Sequence, residues 1–217
     1  MKSSKPSQYI KGWVEFYKLK FKVTPDVLIP RPETELLVDE VLRNITGKTL
    51  VLDIGTGTGN IAISIAKNDS SVKIIATDIS AKALKIAQQN AKLHGVEDKI
   101  KFIQSNLLSN LRLHPKGVSI IVTNLPYIPS GRIPYLDSSV KDFEPHIALD
   151  GGEDGFELYR KLFAQINEKG WKPKLIIGEV DYTHGELAIN EAQKYFPKAQ
   201  TDVKTDLSHK QRILLIR

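Results

Sequence analysis

The 217-residue chain contains no cysteine, a single methionine and five histidines scattered along the sequence. The absence of cysteine excludes disulfide bonds, thiolate nucleophiles and cysteine-ligated zinc sites. The histidines lack the spacing of metal ligands, so no metal site is predicted. No apolar run approaches the roughly 18 residues that a membrane helix needs, and the N-terminus has no signal-peptide pattern. We therefore expect a cytoplasmic protein without a membrane partner.

Positive charge is concentrated at the N-terminus. Residues 1–22 contain six lysines and one glutamate, whereas the whole chain has a formal net charge of +6. Hydrophobic residues make up 41% and charged residues 26% of the chain, which is typical of a globular domain. The basic N-terminal strip, defined as residues 1–22, suits an acidic partner such as RNA, a ribosome or an acidic protein. The alternative is a solvated tail whose lysines protect an edge strand.

Buried-strand patterns and amphipathic helical patterns alternate after residue 33. The predicted strands are 49–54, 73–79, 99–105, 118–124 and 174–180, and the predicted helices are 33–45, 61–67, 81–94, 155–168 and 184–196. This alternation predicts an α/β fold with a mostly parallel sheet that helices cover on both faces.

The two ends of the chain predict hairpins. Residues 12–23 alternate in polarity and predict an N-terminal β-hairpin, while residues 201–217 contain two strand patterns joined by a polar turn. The second pair suggests an antiparallel hairpin at one edge of the sheet. We expect two parts, a basic tail with hairpin and proline loop over residues 1–32 and the α/β domain over residues 33–217.

A glycine-rich loop follows the first predicted parallel strand. The segment VLDIGTGTGNIAIS places Gly55, Gly57 and Gly59 at the edge of the sheet where ligands bind. The dinucleotide pattern G-x-G-x-x-G would need another glycine where Asn60 stands. Asp53 precedes the loop, and a carboxylate there favours a positively charged ligand over a pyrophosphate. S-adenosylmethionine carries a sulfonium and an ammonium group, so the loop and Asp53 indicate this cofactor.

Two further strand ends complete the predicted cofactor site. Asp78 ends the second strand and is placed to accept hydrogen bonds from ribose hydroxyls, with Ile79 beside it. The same arrangement serves other adenosine cofactors, and the alternative is a turn aspartate before Ser80. After the third strand, Asn106 can bond the edge of an adenine and Leu107 can cover its face.

The fourth strand ends in Asn124-Leu125-Pro126-Tyr127. The Asn124 side-chain oxygen and the Leu125 carbonyl can accept both hydrogens of a planar NH2 group, so that the nitrogen lone pair faces a methyl donor. Such a nitrogen is a poor nucleophile, and catalysis would rest on alignment and on acceptors that strengthen in the transition state. Pro126 stiffens the loop and Tyr127 offers a flat face. The alternative is a simple proline turn.

Four stretches of the chain together resemble the HemK/PrmC glutamine methyltransferases. They are FYKLKFKVTPDVLIPRPETELLVDEVL, VLDIGTGTGNIAISIA, VTNLPYIP and EPHIALDGGEDGFELYRKL. That family methylates the side-chain amide of the glutamine in the Gly-Gly-Gln motif of peptide chain release factors. The resemblance spans about residues 9–217, and its first and last stretches are the most specific.

The resemblance implies a fold, a cofactor and a partner. The fold is the Rossmann-like class I methyltransferase sheet of seven strands, the cofactor is S-adenosyl-L-methionine, and the partner is a release factor, for which the basic N-terminal strip is a candidate contact. By position, it implies that the cofactor is lined by Gly55, Thr56, Gly57, Thr58 and Gly59, with ribose at Asp78, adenine at Leu107 and the substrate glutamine at Asn124, Leu125, Pro126 and Tyr127.

The chain departs from the family pattern at three places. Leu125 replaces the first proline of the usual Asn-Pro-Pro-Tyr, and Asn-Leu-Pro-Tyr also resembles the motif of rRNA adenine dimethyltransferases. Asn106 and Leu107 stand where an aspartate and an aromatic residue are frequent. Bacterial members commonly begin with a helical domain, whereas this chain starts almost at the hairpin, which suggests recognition by the basic N-terminal strip, a different substrate or a truncation.

Two other function classes stay open. One is methylation of an adenine amino group in RNA or DNA, and the other is a non-catalytic module that binds an adenosine cofactor. In IPRPETE, Arg31, Glu33 and Glu35 are candidates for a lid over the cofactor, or simply a loop before a helix whose dipole favours acidic residues. The segment EPHIALDGGEDG is a candidate wall of the substrate pocket, or a plain glycine turn.

Overall fold

The computed structural model describes residues 5–114 and 117–217. The strands of this part are β1 (Trp13–Phe16), β2 (Leu19–Lys22), β3 (Leu50–Ile54), β4 (Lys73–Asp78), β5 (Ile100–Gln104), β6 (Ile120–Thr123), β7 (Leu175–Glu179), β8 (Thr201–Thr205) and β9 (Gln211–Ile216). Its α-helices are α1 (Ser7–Lys11), α2 (Glu35–Asn44), α3 (Asn60–Asn68), α4 (Ala81–Leu93), α5 (Ser138–Lys141), α6 (Glu157–Glu168) and α7 (Gly185–Tyr195). Its 3-10 turns are Pro32–Thr34, Glu97–Lys99, Ser130–Tyr135 and His146–Ala148.

Seven strands form the main sheet, in the order β5-β4-β3-β6-β7-β9-β8. All pairs from β5 to β7 are parallel, and β9 runs antiparallel to both β7 and β8. This confirms the predicted mostly parallel sheet with an antiparallel hairpin at one edge. The strand order reverses between β3 and β6, and ligands of α/β proteins bind at the carboxyl ends of the strands at such a reversal.

The core lies on both faces of the sheet because neighbouring strand residues point to opposite sides. Val51 and Ile120 pack with side chains of α2 and α3 on one face. Leu52 and Ile121 pack with α6 and α7 on the other face. Strands buried on both faces favour apolar residues at successive positions, which explains the nearly continuous hydrophobic runs of β3, β6 and β7.

The N-terminal segment packs against this domain. The hairpin predicted for residues 12–23 is present as antiparallel β1 and β2, and its Phe16 and Phe21 are buried in the core beside α2. The sequence did not predict α1, which is anchored by the buried Tyr9. The Tyr9 hydroxyl donates to the Val27 carbonyl at 2.6 Å. The segment therefore contributes to the core and is not only a solvated tail.

The connection from β6 to α6 contains two 3-10 turns and α5. Pro129 and Pro145 directly precede the two turns, and Pro134 lies within the first. These prolines keep the turns short, because proline lacks the amide hydrogen that a longer helix needs. In the described residues, no helix is long and apolar enough to cross a membrane. Among the same described residues, no group of three or more histidine, aspartate or glutamate side chains is placed to bind a metal ion.

Candidate active site

One cavity opens at the carboxyl ends of β3, β4, β5 and β6. It encloses about 1060 Å³ of empty space when the solvent at its open mouth is counted. Most of the predicted site residues line it, namely Gly55, Thr56, Gly57, Thr58, Asp78, Ile79, Asn106, Leu107, Asn124, Leu125 and Pro126. The same cavity therefore connects the glycine loop to the corner after β6. Asp53, Gly59 and Tyr127 are not among its lining residues.

The glycine loop turns sharply because its glycines adopt positive φ angles. Gly57 has a φ of +55°, with open space where a Cβ atom would lie, so its backbone conformation is the constraint. At Gly59, a Cβ atom would lie 2.9 Å from Ile63 Cδ1 and 3.2 Å from Ala87 Cβ. Glycine at this position therefore allows α3 and α4 to pack closely, and the expectation that Gly59 lines the cofactor stays a prediction.

Asp53 lies beneath the glycine loop and is completely buried. Its Oδ2 accepts hydrogen bonds from Thr56 Oγ1 at 2.6 Å and from the Ala62 amide at 3.2 Å, while Oδ1 has no partner in the described part of the chain. Burial raises the pKa of Asp53 to about 7, and the two hydrogen bonds oppose that rise. Asp53 therefore ties the loop to the first turn of α3, and its expected contact with a positively charged cofactor stays a prediction.

Asp78 ends β4, as predicted, and faces the cavity. Its Oδ2 accepts from the Gly57 amide and its Oδ1 from the Ser80 amide, both at 2.9 Å. Burial raises the pKa of Asp78, and the amide hydrogen bonds work in the opposite direction. Each oxygen has a second lone pair, so the carboxylate can still accept hydroxyl donors. Ser80 caps α4 as well, since its Oγ accepts from the Ala83 amide at 3.2 Å.

Apolar side chains form the wall next to Asp78. Leu107 is buried and has a φ of +53°, an unusual conformation for a residue other than glycine. Ile79 lines the same cavity and is 47% exposed, and Asn106 adds a polar group beside Leu107. Strained backbone of this kind is concentrated at functional sites. The wall combines an apolar face with a polar edge, which suits a planar heterocycle.

The amide nitrogen of Asn124 faces two neighbouring acceptors. Nδ2 donates to Thr34 Oγ1 and to Glu179 Oε2, both at 3.1 Å. These two oxygens are only 2.6 Å apart, so they lie on the same side of Nδ2. No described residue donates a hydrogen bond to Asn124 Oδ1, and the predicted role of this oxygen as an acceptor for the substrate stays a prediction.

Tyr127 is also held by Glu179. Its hydroxyl donates to Glu179 Oε1 at 3.0 Å. Burial and the neighbouring Glu179 carboxylate raise the pKa of Tyr127, so the phenol stays protonated at neutral pH. Because Tyr127 does not line the cavity, its expected flat contact with a substrate stays a prediction.

Two glycines of EPHIALDGGEDG support the corner from behind. A Cβ atom on Gly151 would lie 2.8 Å from both the Pro126 carbonyl oxygen and Tyr127 Cα. A Cβ atom on Gly155 would lie 2.3 Å from the Tyr127 carbonyl oxygen. Only glycine permits so close an approach of two backbones. This segment therefore sets the position of the corner.

An ion pair joins the two loops that border the cavity. Arg31 lines the cavity, and its guanidinium contacts Glu144 Oε1 at 2.5 Å. Glu144 is buried, and its Oε2 accepts from the Ile29 amide at 3.3 Å. Of the other candidate lid residues, Glu35 accepts from the Tyr17 amide at 2.7 Å and so anchors the hairpin.

Sequence reasoning missed Thr34, Glu144 and Glu179. Glu179 offered a weak signal, because it is an acidic residue at the end of the apolar strand KLIIGEV. The sequence carries no signal for Thr34, because its importance comes from a hydrogen bond to a distant residue. Its hydroxyl donates at 2.6 Å to Glu179, which is 145 positions away. Contacts between such distant positions depend on the fold.

Comparisons with known proteins agree with this geometry. Residues 32–133 match the model of the methyltransferase small domain. The release factor glutamine methyltransferase of Bacillus cereus is 36% identical over 214 residues, which is 96% of this chain and 75% of that protein. For the enzyme of that name from Lactococcus lactis subsp. lactis, the identity is 37% over 216 residues, or 99% of this chain and 78% of the relative.

A solved structure shares the fold. The ribosomal protein L11 methylase of Lactobacillus delbrueckii subsp. bulgaricus aligns with a TM-score of 0.63 at 21% identity, covering 90% of this chain and 83% of that one. The class I methyltransferase fold and the family resemblance predicted from the sequence are both confirmed. By its identity with the two bacterial relatives and their coverage, the chain belongs to the release factor glutamine methyltransferase family.

Proposed function

We propose that this chain transfers the methyl group of S-adenosyl-L-methionine to the side-chain amide nitrogen of the glutamine in the Gly-Gly-Gln motif of a release factor. The observation that carries this proposal is the single cavity that both the glycine loop and Asn124 line. A methyl donor bound to the glycine loop and a substrate amide bound to Asn124 would therefore lie in the same cavity. Family membership supports glutamine as the acceptor.

The donor half of the cavity fits S-adenosyl-L-methionine in its chemistry. Asp78 has lone pairs for the ribose hydroxyls, and Leu107 and Ile79 offer apolar surface to the adenine, with Asn106 at its polar edge. Gly57 leaves room for close approach of the ligand to the backbone. When bound, the cofactor supplies an electrophilic methyl group.

In the acceptor half, we assign two hydrogen-bond acceptors to the substrate amide. Asn124 Oδ1 and the Leu125 carbonyl each accept one hydrogen of the NH2 group, which leaves the nitrogen lone pair directed at the donor half. Both acceptors strengthen as positive charge develops on that nitrogen. The Leu125 contact is made by its backbone, so leucine serves here as well as proline.

The direct test is methyl transfer to defined substrates. The purified chain is incubated with methyl-labelled S-adenosyl-L-methionine and a release factor, beside the same factor carrying Gly-Gly-Glu. We expect one methyl group on the glutamine of Gly-Gly-Gln by peptide mass spectrometry, and none on the control. Label that enters only RNA or DNA would instead select adenine methylation. Cofactor binding without any transfer would indicate the non-catalytic module.

Asn124→Ala tests the acceptor assignment. Removing one preorganised group of this kind is expected to lower kcat by about 10²–10³-fold, or about 2.7–4 kcal/mol. The control is Asn167→Ala, on the exposed end of α6, where Nδ2 only bonds the Tyr195 carbonyl. The measurement is kcat together with the cofactor dissociation constant. A turnover close to that of the unaltered chain would contradict the assignment.

We also propose that the two parts of the chain have different roles. Residues 1–32 would serve recognition through the basic N-terminal strip, and residues 33–217 would hold the chemistry. Lys5, Lys11 and Lys20 are exposed. The strip is connected to the cavity wall through α1, because the Tyr9 hydroxyl bonds to the carbonyl of Val27, a buried residue that lines the cavity. An acidic face of the release factor is its proposed partner.

A further inference from the structure

Glu179 is a buried carboxylate at the corner after β6. It ends β7, the strand next to β6, and only 2% of it is exposed. Three donors converge on its two oxygens. Oε2 accepts from Thr34 Oγ1 at 2.6 Å and from Asn124 Nδ2 at 3.1 Å, and Oε1 accepts from Tyr127 at 3.0 Å.

The backbone of Glu179 is fixed as well. The hydroxyl of the buried Tyr159 donates to the Glu179 carbonyl at 2.5 Å. A Cβ atom on the preceding Gly178 would lie 2.6 Å from that hydroxyl, so the ring of Tyr159 packs directly on the strand. Glu179 is therefore a rigid base for the side chains that it holds.

The hydrogen bonds around Glu179 allow one orientation of the Asn124 amide. The Thr34 hydroxyl donates its one hydrogen to Glu179, so it can only accept a hydrogen bond from Asn124. Both neighbours of the Asn124 amide group on this side are thus acceptors, and only its NH2 end can face them. An amide turned over would set its oxygen against a carboxylate. The carbonyl oxygen is consequently left for the cavity.

We propose that Glu179 is a positioning residue, which, with Thr34, forces Asn124 to present its oxygen to the acceptor amide and ties Tyr127 to the same point. The inference rests on the proposed function, since it assigns a use to the Asn124 oxygen. It predicts that activity requires a hydrogen-bond donor at one of positions 124 and 179 and an acceptor at the other. Which residues supply the donor and the acceptor should matter less.

The test is an exchange of polarity. In Asn124→Asp, two carboxylates face each other beside Thr34, and kcat is expected to fall on the order of 10²-fold. In Asn124→Asp with Glu179→Gln, the carboxamide introduced at position 179 can donate to the carboxylate introduced at position 124 and still accept from Tyr127. The second oxygen of that carboxylate then stays available to the substrate. We expect this double variant to recover at least tenfold over the single Asn124→Asp variant.

The matched control is Glu168→Gln, an exposed residue at the end of α6, introduced into the Asn124→Asp background. It changes the net charge as Glu179→Gln does but should rescue nothing. Cofactor affinity is measured for every variant and is expected to stay near that of the unaltered chain. If the single Asn124→Asp variant is as active as the double variant with Glu179→Gln, or if Glu168→Gln rescues it equally, the proposal is wrong.

A second readout needs no substrate. The side-chain NH2 resonances of Asn124, assigned by their loss in Asn124→Ala, should exchange slowly with solvent in the unaltered chain and in Glu179→Gln, which keeps an acceptor. Glu179→Met has no acceptor and should speed the exchange. Equal exchange in all three overturns the positioning role. Failure of the unaltered chain to methylate Gly-Gly-Gln, with this exchange pattern intact, would reject only the proposed function.

Discussion

At the scale of single residues, the role of each acidic side chain follows from the donors that surround it. Asp78 keeps lone pairs free at the cavity. One oxygen of Asp53 accepts hydrogen bonds from the loop above it and from the start of α3. Both oxygens of Glu179 accept hydrogen bonds, from three side chains in total. Strand-end positions alone predicted Asp78 as a site residue. They gave only a weak signal for Glu179 and did not reveal what Asp53 bonds to, because hydrogen-bond partners from distant segments are visible only after folding.

Asp53 predicts a specific dependence of stability on pH. Its pKa rises from 3.8 to about 7 on folding, so the folded state binds a proton that the unfolded state has lost. Its contribution to the free energy of unfolding is therefore fully present below pH 3.8, declines as the pH rises to about 7, and is flat above. Asp53→Asn abolishes this contribution.

The measurement is denaturant unfolding at several pH values, with the exposed Asp142→Asn as control. The free energy of unfolding of the unaltered chain, relative to that of Asp53→Asn, should fall as the pH rises from 3.8 to about 7. The same difference for the control should not depend on pH. A constant difference across this range would show that folding leaves the pKa of Asp53 unchanged.

At the scale of elements, hydrophobic periodicity predicted every strand of the main sheet and its five long helices, with ends displaced by one or two residues. These elements are specified by local pattern and burial. The short helix α1 and the turns after β6 were not predicted, because segments of three to six residues make too few local contacts to leave a periodic pattern.

The two loops around the cavity should act together through Glu144. In Glu144→Gln the ion pair with Arg31 is lost, while the amide of Ile29 keeps an acceptor. We expect weaker cofactor binding by several-fold, because loops that are no longer joined must be ordered on binding, together with about 1–3 kcal/mol of lost stability.

Titration calorimetry and denaturant unfolding measure these two effects. Lys161→Gln removes the exposed ion pair with Glu157 and is the control, with little expected change. Unaltered cofactor affinity in Glu144→Gln would mean that the two loops bind independently of this contact.

At the scale of the whole molecule, the sheet topology sets the cavity at the reversal between β3 and β6. The N-terminal segment contributes residues 26–28, 30 and 31 to the cavity lining and exposes Lys5, Lys11 and Lys20 on its own surface. Composition revealed the excess of lysine but not its location, because that depends on how α1 and the hairpin pack on α4.

Reversing charge on the basic N-terminal strip should weaken capture of the intact release factor only. With Lys5, Lys11 and Lys20 changed to glutamate, we expect KM for the factor to rise on the order of tenfold at low salt, with kcat on a short Gly-Gly-Gln peptide unchanged. Steady-state kinetics on both substrates measure this. The control changes the exposed Lys161, Lys172 and Lys198 to glutamate. Equal effects of both triple variants would refute a role for the strip.

The central claim is that one cavity brings a methyl donor and a glutamine amide together. The most direct measurement is a crystal structure of the chain with a non-reactive S-adenosyl-L-methionine analogue and a Gly-Gly-Gln peptide. The account predicts the glutamine nitrogen bonded to Asn124 Oδ1 and the Leu125 carbonyl, about 3–3.5 Å from the position of the transferable carbon. A glutamine bound elsewhere, or held beyond the reach of that carbon, would contradict it.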